Sequence, residues 1–349
     1  MASLYQNIIR PLLFLQSPEN AHNFSLSGLK WAERLGLPLV CLRSLCSSPA
    51  GKEVKLWDLE FSNPVGLAAG MDKDAEVIRP MLGMGFGFVE VGTVTPVAQP
   101  GNPKPRLFRY PQHHAVVNRM GFNNDGLDSL VSNVSRFKTG KPCKGVIGIN
   151  IGKQKDTPNE EAHLDYLKGF EATADLADYV AVNISSPNTP NLRELQDDQP
   201  LQELLKTLKE ANASRTAQGK RHVPTLLKIA PDLEDAHLEQ IVSNVVDHQW
   251  DGIIATNTTI DRSGDYADFE TPGGLSGRPV KEKSTAVIQK ISKLTGGKLP
   301  IIGVGGIETA ADAQEKLDAG ASLVQVYSGF IYQGPKMARR IVQGIKKPA

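Results

Sequence analysis

Between residues 179 and 191 the chain reads YVAVNISSPNTPN. A short apolar run, residues 179–182, stops abruptly in Asn183, Ser185, Ser186, Asn188 and Thr189. A buried amide without a partner costs about 1–3 kcal/mol, so such a cluster is a poor way to build stability. A strand followed by an Asx-type turn is the plainer reading. The pattern recurs, however. Other apolar runs end in Ala69-Gly70-Met71-Asp72-Lys73, Gly92-Thr93-Val94-Thr95, Asn150-Ile151-Gly152, Lys228, Thr256-Asn257-Thr258, Gly305-Gly306 and Tyr327-Ser328-Gly329. The loop at 118–124 adds Asn118, Arg119, Met120, Gly121, Phe122, Asn123 and Asn124.

Brought together, these ends make a mouth rich in amides and hydroxyls, with Lys73 and Lys228. Carboxylates are few, so no metal is expected, because hard cations want several anionic oxygens. No histidine lies among the strand ends, which argues against a histidine base. A neutral, amide-lined pocket with two lysines suits a flat anion that makes many hydrogen bonds. Gly305-Gly306 precedes a helix expected to start near Thr309, and Tyr327-Ser328-Gly329 opens a short segment before Pro335. Backbone N–H groups at such places bind phosphate. A phosphorylated tail beside a planar head fits flavin mononucleotide (FMN). Lys228 would then set positive charge at the pyrimidine edge, with Thr93, Asn150 and Thr256 on the ring and ribityl chain.

Eight apolar runs must position these residues: 65–69, 88–91, 146–149, 179–182, 225–229, 252–255, 300–304 and 323–326. Each is bounded by Gly or Pro, and segments with helical spacing lie between them. Near-continuous apolar strands alternating with helices read as a parallel sheet buried on both faces. Eight such units predict a (β/α)8 TIM barrel over residues 65–349, with the site at the C-terminal ends of the strands. An open doubly wound sheet would carry GxGxxG after its first strand; Gly66-Leu67-Ala68-Ala69-Gly70 does not match. Thr157-Pro158-Asn159-Glu160 reads as a capping box.

Residues 1–40 form an N-terminal helical extension in this reading, with helices at 1–16 and 18–35. Ser17 and Pro18 start the second helix, and Gly36 then Pro38 end it. Ala21, Phe24, Ser25, Gly28, Leu29, Ala32 and Leu35 share one face, yet Leu12, Leu13, Phe14, Leu15, Leu26 and Trp31 lie all round. This surplus of apolar surface fits either a membrane-surface or hydrophobic-ligand role or simple packing. Residues 41–64 read as a linker with a short hairpin.

The net charge of +1 over 349 residues carries no nucleic-acid footprint. The three cysteines, Cys41, Cys46 and Cys143, form no CxxC and no disulfide framework. The apolar stretch 8–15 is broken by Arg10 and Pro11 and falls short of the roughly 20 residues a spanning helix needs. Neither a signal peptide nor a transmembrane helix is expected.

The segments NPVGLAAGMDKDAE, VGTVTP, KPRLFR, NRMGFNN, GINIGK, VNISSPNTPNLR, KIAPDL, IATNTT, GGLSGRP, IIGVGGI and VYSGFI together resemble dihydroorotate dehydrogenase over residues 63–332. The N-terminal extension and Ser186, where soluble classes carry cysteine, make the chain similar to the membrane-associated, quinone-dependent class. The resemblance implies FMN-dependent oxidation of (S)-dihydroorotate to orotate in pyrimidine synthesis, with a membrane quinone as terminal acceptor. It implies Ser186 as the base at C5. Substrate would be held by Lys73, Asn118, Arg119, Met120, Gly121, Phe122, Asn183, Asn188, Asn257 and Thr258. FMN would be held by Ala69, Gly70, Lys73, Thr93, Asn150, Asn183, Lys228, Thr256, Gly277, Gly306, Tyr327 and Ser328. His22, Arg109 and Tyr327 match positions on the quinone route. A monomer on the cytoplasmic face of the cell membrane is expected. A free hydroxyl is a weak base, so Ser186 needs desolvation and a proton path, with Thr189 to start it and Phe122 to exclude water. The loop 188–192, stiffened by Pro187 and Pro190, is a candidate lid.

Two other classes remain open on the residues alone: a Schiff-base lyase using Lys228, and a non-catalytic membrane-surface binder. His113-His114 reads as a surface loop pair, residues 196–199 as a solvated approach to a helix, and Cys143 as structural.

Overall fold

The computed structural model describes residues 4–141 and 143–346. The chain opens with a π-type turn, Tyr5–Ile9, then α1 (Arg10–Phe14), α2 (Pro18–Leu35) and α3 (Leu37–Cys46). Residues 1–3 of the expected first helix lie outside the described residues. Ser17 caps α2, its hydroxyl accepting the Asn20 N–H at 3.3 Å. Gly36, at φ +75°, ends α2 with its N–H on the Ala32 carbonyl, a backbone shape glycine adopts freely.

The expected linker at 41–64 is corrected by α3. Pro38 does not mark a stop; it falls in the first turn of the next helix, where a missing N–H costs nothing. Leu39 and Cys46 bury the inner face of α3. The single apolar face expected on α2 also divides. Ala21 is buried, but Phe24 and Leu35 are more than 60% exposed. The expected capping box at residues 157–160 is absent. Pro158 is extended, a 3₁₀ turn spans Asn159–Glu161, and the helix begins at Ala162. A capping box does occur at Thr309, paired with Asp312, at the helix start expected there.

A hairpin of β1 (Val54–Leu56) and β2 (Leu59–Phe61) leads to β3 (Val65–Leu67) and β4 (Phe88–Val94). Next come β5 (Leu107–Tyr110), β6 (Ala115–Asn118), β7 (Val146–Ile151) and β8 (Tyr179–Asn183). Then follow β9 (Thr225–Ile229), β10 (Gly252–Ala255), β11 (Gly274–Gly277), β12 (Ile301–Val304) and β13 (Leu323–Val326). Strands β3, β4, β7, β8, β9, β10, β12 and β13 close into an all-parallel barrel in that order. Strands β5, β6 and β11 form a separate antiparallel sheet, with Asn118 opposite both Leu107 and Gly274. This sheet was not expected from the sequence.

The barrel is filled, as its strands' apolar composition requires. Phe88, Tyr179, Leu226, Ile254, Ile302 and Leu323 occupy the lower interior. The hairpin plugs the floor: Phe61 meets Phe88 edge-on at 5.4 Å, and the Trp57 indole N–H donates to the Asp251 carbonyl at 2.8 Å. Gly148 has no side chain because a Cβ there would enter the Tyr179 ring. Outer helices cover the barrel with apolar stripes, such as Leu201, Leu204, Leu205 and Leu208 of Asp198–Ala217. With the floor plugged and the flanks covered, the strand ends are left to form the site.

Candidate active site

A cleft with about 1010 Å³ of empty space opens at the C-terminal ends of the barrel strands. Lys73, Asn118, Met120, Phe122, Asn183, Ser186, Asn188, Asn257 and Thr258 line it. Ala69, Gly70, Thr93, Lys228, Thr256, Gly277, Gly306, Tyr327 and Ser328 line it too. Residues from some 260 positions of chain therefore meet in one place, because every parallel strand delivers its C-terminal end to the same rim.

Three predicted residues stand elsewhere. Asn150 is fully buried one layer behind, accepting from Thr93 Oγ1 at 2.6 Å. The Arg119 guanidinium turns away, donating to the Pro105 carbonyl at 2.9 and 3.1 Å over the Phe108 ring. Gly121 packs against Asn102.

The amides form a ladder and a separate pair, Asn188 with Asn118. Asn257 Nδ2 donates to Asn183 Oδ1 (3.2 Å) and Ser185 Oγ (3.0 Å). Asn183 Nδ2 donates to Thr93 Oγ1 (3.0 Å), and Asn188 Nδ2 to Asn118 Oδ1 (3.0 Å). The ladder runs down to Glu90, which the sequence reading missed. The Glu90 carboxylate is fully buried and receives Asn150 Nδ2 (2.8 Å), Gln325 Nε2 (2.7 Å) and the Tyr179 hydroxyl (3.0 Å). Lys228 Nζ lies 3.4 Å from it. Lys228 is thus the partner of a buried acid and not a solvated rim group. Burial, with the Glu90 charge beside it, pushes the Tyr179 hydroxyl well above its ordinary range. The signal for Glu90 was present: one acid inside the apolar run FVEVGTV.

Ser186 is 6% exposed, and its Oγ accepts the Asn188 N–H at 3.3 Å. Phe122, at φ +52°, puts its ring on the same cleft. Thr189 Oγ1 is buried without a partner. Burial, then the charge of Arg106, brings Lys73 down to about 7, and its ammonium contacts Asn123 Oδ1. Burial raises the neighbouring Asp72 to about 7; it caps the N–H groups of Glu76 (2.7 Å) and Val77 (2.9 Å).

A second cavity, with about 1140 Å³ of empty space, lies between α1, α2 and the barrel. Its walls are mostly apolar and include His22, Arg109 and Tyr327. Burial, and then the Lys73 charge, lowers His22 to about 4. Arg109 stacks 4.2 Å over the Phe14 ring and holds the Leu13, Phe14 and Gln16 carbonyls. Tyr327 lines both cavities, so its ring stands between them. Residues 52–348 match the family model described as Dihydroorotate dehydrogenase.

The chain belongs to the dihydroorotate dehydrogenase family. It is 52% identical to the "Dihydroorotate dehydrogenase (quinone)" of Idiomarina loihiensis, over 96% of this chain and 98% of that one. It is 49% identical to the protein of the same name from Marinobacter nauticus, over 97% and 98%. The crystal structure of DHODH from Eimeria tenella in complex with ferulenol superposes with a TM-score of 0.83 at 36% identity, covering 96% of this chain and 93% of that one. The two-cavity arrangement is therefore a feature of a family member.

Two set-aside segments carry more structure than expected. His114 Nδ1 pairs with Glu308 (2.9 Å) and its ring stacks on Tyr332 at 4.8 Å, while His113 ends the 3₁₀ turn Pro111–His113 and packs edge-on against Tyr266 and Phe269. Gln196 is buried, its Oε1 accepting the Ala230 N–H at 3.1 Å, and is not a solvated approach. Among the described residues no cluster of His, Cys, Asp and Glu could hold a metal ion.

Proposed function

We propose that this chain oxidises (S)-dihydroorotate to orotate on FMN and passes the electrons to a membrane quinone, in de novo pyrimidine synthesis. The observation that carries the reading is the convergence of Lys73, Ser186 and Lys228 on one cleft whose Tyr327 wall is shared with an apolar cavity.

The cleft suits the cofactor. Thr258 Oγ1 and Gln325 Oε1 belong to lining residues and are buried without a protein partner, a state that marks a place for a ligand. Gly306 and the start of the helix Ser328–Gln333 present backbone to the cleft; the first N–H groups of a helix have no partner inside it. These would hold the phosphate, while Lys228, Thr93 and Thr256 would hold the ring and ribityl chain, with Asn150 behind. When bound, FMN supplies the acceptor for a hydride and the donor to a quinone.

The residues of the chain do the rest. Lys73 and the ring of asparagines bind the substrate carboxylate and ring amides. Ser186 Oγ takes the proton from C5; that C–H electron pair forms the C5–C6 double bond as hydride leaves C6. Phe122 excludes water, and Thr189 carries the Ser186 proton outward. The loop 188–192 closes over the substrate. His22, Arg109 and Tyr327 line the quinone's approach. Membrane attachment runs through α1–α3. Among the described residues, ten of the fifteen exposed large apolar side chains fall within residues 4–45, and no described helix is long and apolar enough to cross a membrane. The protein works as a monomer on the cytoplasmic face.

Anaerobic dihydroorotate should bleach the flavin, and added quinone should restore its colour. Ser186→Ala should retain FMN and orotate while reduction slows by about 100-fold or more, the range of a lost general base. Failure of the unaltered protein to bleach would remove the reading.

A further inference from the structure

Arg193 lies in the 3₁₀ turn Leu192–Gln196, away from the cleft lining, yet it reaches three rim loops at once. Its Nε donates to the Ser185 carbonyl (3.2 Å) after β8, its Nη1 to Asp232 Oδ2 (3.0 Å) after β9, and its Nη2 to the Thr258 carbonyl (3.0 Å) after β10. The first of these oxygens belongs to the peptide that joins Ser185 to Ser186. Fixing it fixes the peptide plane from which the Ser186 side chain projects. The third sets the backbone of Thr258, which lines the cleft.

Asp232 is built as an anchor. It also receives the Thr259 hydroxyl, the Ile260 N–H (3.0 Å) and Lys283 Nζ (3.2 Å), so it ties Arg193 to the loop that carries Thr258. Burial opposes its charge, but these hydrogen bonds and the Arg193 cation hold it below the usual carboxylate range. The Arg193 and Asp232 side chains are only 22% and 12% exposed. An exposed ion pair has little effect; this one is screened from water, and its guanidinium has two further ligands. The three acceptors lie in different directions. The rigid fork of arginine can serve them together, whereas a lysine's single nitrogen cannot.

We infer that Arg193, anchored by Asp232, is a positioning residue for proton abstraction, setting Ser186 against the substrate C5 from behind the cleft. The inference rests on the proposed dihydroorotate oxidation. It differs from a plain stability role because it predicts a defect in one bond-breaking step.

The test follows flavin reduction by stopped flow in holoenzyme carrying Arg193→Lys, Arg193→Ala or Asp232→Asn, with dihydroorotate deuterated at C5 or at C6. A misplacement near 1 Å costs about 100-fold, so Arg193→Lys should slow reduction by about that factor. Orotate affinity and FMN content should stay within about threefold, since Arg193 itself does not line the cleft. The C5 isotope effect should rise above that of the unaltered enzyme, and guanidinium ion should restore part of the rate to Arg193→Ala. Asp232→Asn should show the same isotope signature with a smaller slowing. Reduction at the unaltered rate in Arg193→Lys would overturn the inference. So would slowing with an unchanged C5 isotope effect, or lost FMN and orotate binding in both Arg193→Lys and Asp232→Asn. If the unaltered enzyme itself fails to bleach, the proposed reaction has failed and not the positioning role alone.

Discussion

Replacing Glu90 with Gln tests the floor of the cleft. The carboxylate collects Asn150 and Lys228 on Oε1 and Tyr179 and Gln325 on Oε2. A glutamine there has one accepting oxygen and one donating nitrogen. If the nitrogen faces Asn150, that amide must flip and surrender the hydrogen bond from Thr93 Oγ1. If it faces Gln325, a flip of Gln325 offers the Oε1 atom that has no partner now. The second route is cheaper and repairs the amide, but it leaves the Lys228 ammonium without its counter-ion. Breaking a buried pair costs about 3–5 kcal/mol, and the available flip places this site near the lower figure. At about 2.1 cal/mol/K per residue, a chain of 349 residues shifts by about 1.4 °C per kcal/mol, so Tm should fall by roughly 4 °C. Removing the second charge as well, in Glu90→Gln/Lys228→Met, should recover part of that loss, because the stranded charge is gone. Thermal unfolding of the FMN-free proteins gives the answer. An unchanged Tm in Glu90→Gln, or a double variant less stable than the sum of the single ones, would refute the electrostatic account.

Three further outcomes follow from the geometry. In the proposed site orotate binds the charged form of Lys73, whose value in the ligand-free protein is about 7. Above that pH, binding must take up a proton, so Kd should rise about tenfold per pH unit until the value in the complex is reached; calorimetry in two buffers should show the uptake, and Lys73→Met should abolish it. Gly306→Ala forces a Cβ within 2.7 Å of the Lys281 Cα at φ +68°, which should cost about 1–3 kcal/mol and loosen FMN, as read by cofactor retained on dialysis. Ala21→Trp fills the apolar cavity beside α2; it should raise the quinone KM about tenfold, a loss of roughly 1.4 kcal/mol, while dihydroorotate reduces the flavin at the unaltered rate.

The barrel was legible because each strand is a short apolar run, most of them bounded by Gly or Pro. The stretches 225–229, 252–255 and 323–326 match β9, β10 and β13. Strand β4 runs to Val94, past the expected end at 91: Gly92-Thr93 looks like a turn, yet Gly92 and Val94 still pair with β7 and the register shifts between them. The sheet of β5, β6 and β11 stayed hidden because its four-residue strands, LFRY and GLSG among them, lack a clean apolar alternation. Helix α3 was hidden by Pro38, whose meaning depends on whether a helix is ending or starting. Most of the cleft could be read from strand ends. Glu90 and Gln325 stand out as lone polar residues in apolar runs, but nothing in the sequence names their partners. The second cavity depends on contacts such as the Tyr5 hydroxyl on the Ile331 carbonyl (2.6 Å), across 326 residues, and no local pattern reports those.

Tyr327 forms part of two walls. Under the proposed reaction, a water-soluble acid and an oil-soluble electron carrier would reach the flavin through different doors, and neither would have to leave before the other arrives. A compound that blocks the oily entrance should lower the maximal velocity without competing with dihydroorotate, and an orotate analogue should leave the carrier's access untouched. One aromatic ring would thereby let the proposed centre trade with two solvents.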